Sequence, residues 1–230
     1  MAFTDRHGGV SADPYGSRNL GGSVGDDPAA VAENRALTAR EFGLDPREVV
    51  FMRQVHSPDV AYAAEPFGAA PPALDGVCTD RPGLGLAVLV ADCAPVLLAD
   101  PVKGMVGAAH SGRAGTAAGV VAALVAEMRA RGAGDLVAVV GPLACGACYE
   151  VPEALREQVA EVVPETWSST RAGTPALDLR AGITAQLRRA GVADIRHDAR
   201  CTIETADLYS YRRDHLTGRF AGYAWVAPGA

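Results

Sequence analysis

A chain of 230 residues, 49% of them hydrophobic, is long enough for one generous domain or two small ones and supplies a sizeable core. Its formal charge of -6, without any long run of lysine or arginine, gives no electrostatic footprint for nucleic acid or an anionic membrane, so a small solute is the expected partner. The opening MAFTDRHGG reaches Asp5 and Arg6 before any apolar run, and no uncharged apolar segment approaches ~18 residues, so the sequence predicts a soluble, cytoplasmic protein.

In chain order, GDDPAAVAENRALTAREFG predicts a helix: Asp26 or Asp27 caps it, Pro28 suits its first turn and Gly43 its end. EVVFMRQVH reads as a strand, and the Ala/Pro/Gly-rich stretch from 63 to 76 as a surface loop. GLGLAVLVADC predicts a strand covered on both faces, followed by a second, GMVGAAH, so that Cys93 and His110 both terminate strands. SGRAGTAAGVVAALVAEMRARG predicts a glycine-bearing turn entering a long apolar helix closed by Gly132. A strand DLVAVVG leads through PLACGACYE to a helix from about Pro152 to Val162, and a further helix covers LRAGITAQLRRAG. The last segment, ADLYSYRRDHLTGRFAGYAWV, predicts a hairpin turning near His215 to Gly218. Alternating elements in the middle with antiparallel ends predict one α/β domain of mixed α+β character over residues 1–230, its mixed sheets flanked by helices.

His56, Cys93 and His110 each stand at the end of a short apolar segment, where a sheet presents side chains to a crevice. Two imidazoles and a thiolate leave a fourth tetrahedral position open, as catalytic zinc requires, although spacing alone equally describes a buried cysteine and two unrelated histidines. HSGRAGT supplies turn amides beside Arg113, a setting that suits an anion or simply a tight turn; Arg6 and the pair Arg212 and Arg213 are further phosphate candidates. Asp92 reads as a general base or as a group bonded to nearby backbone. CGAC at 145 to 148 has the spacing of a redox dithiol or of half a zinc site, but no second such pair exists and the motif receives no role; Cys78 and Cys201 show no evident partners and default to burial. An odd count of five cysteines argues against a disulfide scaffold.

Taken together, TDRHGGVS, NLGGSVGDDP, QVHSPDV, LDGVCTDRPGLGLAVLVADCAPVLLADP, GAAHSGRAGT, GPLACGACYEV and CTIETADLYSYRRDHLTGRFA resemble, from end to end, the laccase-domain (multicopper polyphenol oxidase) family, whose members are zinc-dependent purine nucleoside phosphorylases with adenosine deaminase activity. The resemblance implies a single α/β domain and a metal held by the histidine of QVH, the cysteine of ADC and the histidine of AH-x-G: here His56, Cys93 and His110. One departure is local. The family usually reads A-H-A-G-W-R-G, whereas this chain has AHSGRAG, with Arg113 in the tryptophan position and Ala114 in that of the arginine.

The implied partners are purine nucleosides (adenosine, inosine, guanosine, methylthioadenosine) and inorganic phosphate. Phosphate attacks the sugar carbon that carries the base as the glycosidic bond loosens, with zinc, Arg6, Arg113 and Arg213 gathering the anion. Deamination uses a water that the ion makes acidic. Three alternatives stay open: oxidation of phenols by copper, disfavoured because only five histidines exist; a Cys93 nucleophile with His110 as base in an amide hydrolase; and a non-catalytic purine or phosphate-binding module.

Overall fold

The computed structural model describes residues 1–227. A short edge strand, β1 (Ala2–Phe3), precedes α1 (Pro28–Glu41), whose cap is Asp27 accepting from the Ala29 amide at 2.9 Å; Gly43, at a φ of 71°, ends it as predicted. β2 (Val49–Phe51) is much shorter than the expected EVVFMRQVH strand. Beyond it, the Gln54 side chain replaces backbone pairing, donating to the Leu89 carbonyl at 2.7 Å and accepting from its amide at 2.8 Å. There follow β3 (Val60–Tyr62), β4 (Gly76–Thr79), β5 (Gly85–Val90), β6 (Ala94–Asp100) and β7 (Met105–Ser111).

The strand expected over GLGLAVLVADC ends at Val90, as β5, and the apolar run continues as a further strand, β6, which is not among the predicted elements. They belong to different sheets, and the chain crosses between them at Ala91, Asp92 and Cys93, with Asp92 at a φ of 93°. Both are buried on both faces, which is why no polar alternation marks the break.

The predicted long helix is also divided. Gly119, at a φ of 82°, separates α2 (Arg113–Ala118) from α3 (Val120–Ala130), which turns Val121, Leu124, Val125 and Met128 onto the sheet. After β8 (Val137–Val140), α4 (Glu153–Val162), β9 (Trp167–Ser169), β10 (Pro175–Leu177), α5 (Leu179–Arg189) and β11 (Asp194–His197), the C-terminal hairpin does not form. A short helix, α6 (Tyr211–Asp214), leads to β12 (Phe220–Ala224), both of whose edges are taken, by β1 and by β5, so no edge remains for the preceding segment.

Six strands in the order β11-β8-β6-β7-β4-β3 face four in the order β1-β12-β5-β2, and β9 and β10 form a separate pair. Between the two large sheets lie Val50, Leu86, Val88 and Phe220 from one and Val77, Leu97, Val106 and Ala108 from the other. α3 and α5 cover the outer face of the larger sheet, while α1 supplies Ala39 to the outer face of the smaller one against Ala87 and Tyr223. The class is the expected mixed α/β, in four layers. No helix among the described residues is long and apolar enough to cross a membrane.

Candidate metal centre

Strand register gathers the centre. β4, β7 and β6 are neighbours; Gly76 lies opposite Ala109, and His110 and Ser111 opposite Pro95 and Ala94. Asp75, His110 and Cys93 therefore emerge at one end of the six-stranded sheet, with Cys93 on the corner where the chain changes sheets. His56 arrives from the loop after β2, at a φ of 63°. One donor atom from each of His56, Cys93 and His110 lies within 4.8 Å of the others. Cys93 Sγ is 3.9 Å from His56 Nε2, and the two imidazole centroids are 4.7 Å apart. His110 is buried, Cys93 half-buried and His56 exposed, and among the described residues no fourth histidine, cysteine or carboxylate joins the group.

Asp75, which sequence reasoning missed, binds the cluster together. It is fully buried; Oδ1 meets His110 Nδ1 at 2.7 Å, and Oδ2 accepts from the amides of Val55 at 3.0 Å and Ser57 at 2.7 Å, on either side of His56. One carboxylate thus sets the ring of one histidine and the backbone of the other. Gly112 leaves the floor open: a Cβ there would stand 2.7 Å from Cys93 Sγ and 3.0 Å from His56 Cδ2. A soft thiolate, two imidazoles, a carboxylate behind one of them and a glycine-sized hollow between them are compatible with a bound metal.

The electrostatics are those of a charged cluster. Burial alone would push the Cys93 thiol up, but His110 and then His56 outweigh it and bring the pKa down to about 6. Burial opposes charge on His110, whereas Cys93 and Asp75 favour it and raise its pKa to about 9. Asp75 is held at about 2 because His110 and the Ser57 and Val55 amides outweigh its burial.

The arginines divide. The Arg113 side chain makes no hydrogen bond to another described residue, while its backbone opens α2. Arg6 gives Nε to the Gly16 carbonyl at 3.0 Å and lies over the Tyr209 ring. Arg213 spends every N–H inside the protein, on the Thr202, Thr205 and Leu208 carbonyls and on Asp214, which leaves none for an anion. Arg219, not singled out from the sequence, has its pKa lowered by burial against the opposing charges of Cys93 and Asp92. Asp92 is a hub rather than a free base: Oδ1 accepts from Thr202 Oγ1 at 2.6 Å, Oδ2 from the Arg212 amide at 2.7 Å, and its carbonyl from the Ala144 amide at 2.9 Å. Cys78 is buried under α3, its thiol pushed up to about 12 chiefly by burial. Cys201 does have partners, contrary to expectation, since the fold places it beside Cys145 and Cys148. A surface depression of about 440 Å³ between α1 and β2 is lined by one charged group, Arg35, and by no metal-ligating side chain.

The profile of the family described as multi-copper polyphenol oxidoreductase laccase matches residues 1–227. A Streptomyces griseus protein named purine nucleoside phosphorylase is 59% identical over 230 residues, covering 98% of this chain and 94% of its own. Another of that name from Streptomyces coelicolor is 56% identical, with 98% and 95% covered. Among solved structures, YlmD from Geobacillus stearothermophilus superposes with a TM-score of 0.90 at 34% identity, over 98% of this chain and 91% of that one. The Bacillus licheniformis protein YfiH gives 0.88 at 32% identity, over 96% and 90%.

Proposed function

Because the chain belongs to the multi-copper polyphenol oxidoreductase laccase family, we propose that it is a zinc-dependent purine nucleoside phosphorylase that also deaminates adenosine, with His56, Cys93 and His110 as ligands. The observation that carries this reading is the convergence of those three donors around the hollow at Gly112, with Asp75 behind His110; the relatives named purine nucleoside phosphorylase supply the substrate class. Zinc held there by His56, Cys93 and His110 would supply a Lewis acid.

The chain's own residues do the remainder. Asp75 accepts the Nδ1 proton of His110, which turns the Nε2 lone pair toward the cluster. Gln54 anchors the His56 loop to β5, and the Asp92 hub fixes the corner that aims Cys93. Arg113, with its donors uncommitted, grips the phosphate whose oxygen forms the new bond to the sugar carbon while the purine leaves with the electrons of the glycosidic bond.

Zinc content per chain, measured beside adenosine and inosine turnover with and without phosphate in wild type and Cys93→Ala, tests the reading. Phosphate-dependent release of free base, release of ammonia from adenosine, and loss of both activities together with one equivalent of zinc in the variant are expected. Unchanged zinc content in Cys93→Ala removes Cys93 from the ligand set. Stabilisation by nucleoside without release of base or ammonia leaves only a binding module.

One geometric feature favours a second reading. Cys93, His110 and Asp75 also form a thiol–imidazole–carboxylate series, with the 2.7 Å Asp75 contact orienting the imidazole. An amide hydrolase of that type stays active after chelation and is inactivated by alkylation. Copper oxidation of phenols has less behind it: His7 is paired with Asp207 at 2.8 Å, and His197 and His215 join no metal-ligating group among the described residues.

A further inference from the structure

We propose that Cys145, Cys148, Cys201 and Glu204 bind a second zinc ion, a structural one, at a site separate from the His56, Cys93 and His110 cluster. One donor atom from each of the four lies within 4.8 Å of all the others. Tetrahedral zinc with bonds of ~2.3 Å to sulfur places its ligands ~3.8 Å apart, so closing on an ion requires only side-chain adjustments of about an ångström.

The backbone prepares this arrangement twice. Cys145 and Cys148 flank one two-residue turn, and Cys201 and Glu204 flank another. In the first, the Cys145 carbonyl accepts from the amides of Cys148 and Tyr149, both at 2.9 Å. In the second, the Cys201 carbonyl accepts from the amides of Glu204 at 3.2 Å and Thr205 at 2.9 Å. Each turn thus presents its first and fourth side chains on one side, the function of the C-x2-C knuckle in zinc proteins. The turns are joined by a bridge between Leu143 and Cys201, by the Thr202 amide donating to the Leu143 carbonyl at 3.1 Å, and by the Cys145 amide donating to Cys201 Sγ at 3.3 Å. That last contact already orients a sulfur as a metal-bound thiolate would need.

Charge points the same way. Three thiolates, one carboxylate and one zinc ion leave a formal charge of -2, and the Arg171 guanidinium touches both Cys148 Sγ, at 3.3 Å, and the Glu204 carboxylate. A redox dithiol fits less well, because a helix would have to open at the motif to favour a thiolate, and α4 begins only at Glu153. Four protein donors complete the tetrahedron, which distinguishes a structural ion from the three-donor centre with its open position. The two turns also flank the Asp92 hub, since Ala144 and Thr202 both bind it. The second ion therefore braces the corner that aims Cys93.

The test counts zinc per chain in the full-length protein, prepared under reducing conditions, for wild type, Cys148→Ser, Cys93→Ala and the double variant. Two, one, one and zero equivalents are expected. After cobalt(II) replacement, the thiolate-to-cobalt absorption should keep most of its intensity in Cys93→Ala and fall in Cys148→Ser to the weaker band of the single Cys93 thiolate. Should Cys148→Ser fold poorly, Glu204→Gln, at an exposed position, is expected to yield the second ion to a chelator faster than wild type. One equivalent that Cys93→Ala keeps and Cys148→Ser loses supports this site and removes the first. A wild type that holds only one equivalent, with Cys148→Ser keeping it, overturns this site, as does a disulfide among Cys145, Cys148 and Cys201 found by mass spectrometry of protein alkylated without reductant.

Discussion

Asp75 joins the two histidines of the first centre through opposite oxygens of one carboxylate, so its replacement separates charge from shape. In Asp75→Asn one side of the amide still accepts a hydrogen bond. If that oxygen serves the Val55 and Ser57 amides, the NH₂ faces His110 Nδ1 and forces the imidazole proton onto Nε2, where the metal would bind. Zinc affinity at the first centre, read by competition with a chromophoric chelator, is expected to fall about 10- to 100-fold with the fold retained; wild-type affinity in the variant would show that the carboxylate does not set the ligand. His56, Cys93 and His110 stand out in the sequence at the ends of apolar segments, but spacing alone equally describes unrelated residues, and their grouping as ligands is implied there by the family resemblance. Asp75 does not stand out, since an aspartate before glycine reads as an ordinary turn and its bond to His110 spans 35 residues. Cys201 was obscured for the same reason: its contact with Cys145 spans 56 residues.

Elements whose ends carry their own chemistry were read well. α1 starts at Asp27 and Pro28, α5 is capped by Asp178 accepting from the Ala181 amide, and α4 runs close to its predicted bounds. Elements defined by distant pairing are not: β6 is missing from the predicted elements, and the residues of β12 predict pairing with their own upstream segment instead of with β5. Asp100, at the end of β6, shows how such a strand is closed. Its buried carboxylate accepts from the amides of Lys103 at 2.8 Å, Gly134 at 2.6 Å and Val102 at 2.9 Å, which tie the β6–β7 turn to the loop after α3. These bonds, led by Lys103, hold its pKa below the usual carboxylate value. A depressed folded pKa contributes stability that is present above the unfolded value of about 3.9 and is lost as pH falls toward the folded one. Asp100→Asn should therefore be less stable than wild type in urea at pH 7, and the gap should narrow below about pH 4. A gap that stays constant down to pH 2 would mean that the carboxylate charge contributes nothing.

At the scale of the molecule, composition and element alternation announced a mixed α/β domain, but not that ten strands divide into two facing sheets, because a strand buried on both faces carries no mark of which sheet it joins. That division matters to metal binding, since His56 follows β2 of the smaller sheet, Cys93 sits on the crossing and His110 ends β7 of the larger. An ion bound there bridges the two layers, and the unfolded chain offers no such site. Binding to the native state alone stabilises by about 2.7 kcal/mol when free ligand is at 100 times its dissociation constant. For a chain of this size each kcal/mol moves the thermal midpoint by roughly 2–4 °C, so each ion is worth about 5–10 °C. Differential scanning calorimetry with and without a chelator should show the largest drop in wild type, a smaller one in Cys93→Ala and in Cys148→Ser, and none in the double variant. If the midpoint of the metal-loaded wild type is unmoved by a chelator that demonstrably strips it, the ions do not fasten the two sheets or the two turns, and neither centre contributes to holding the fold.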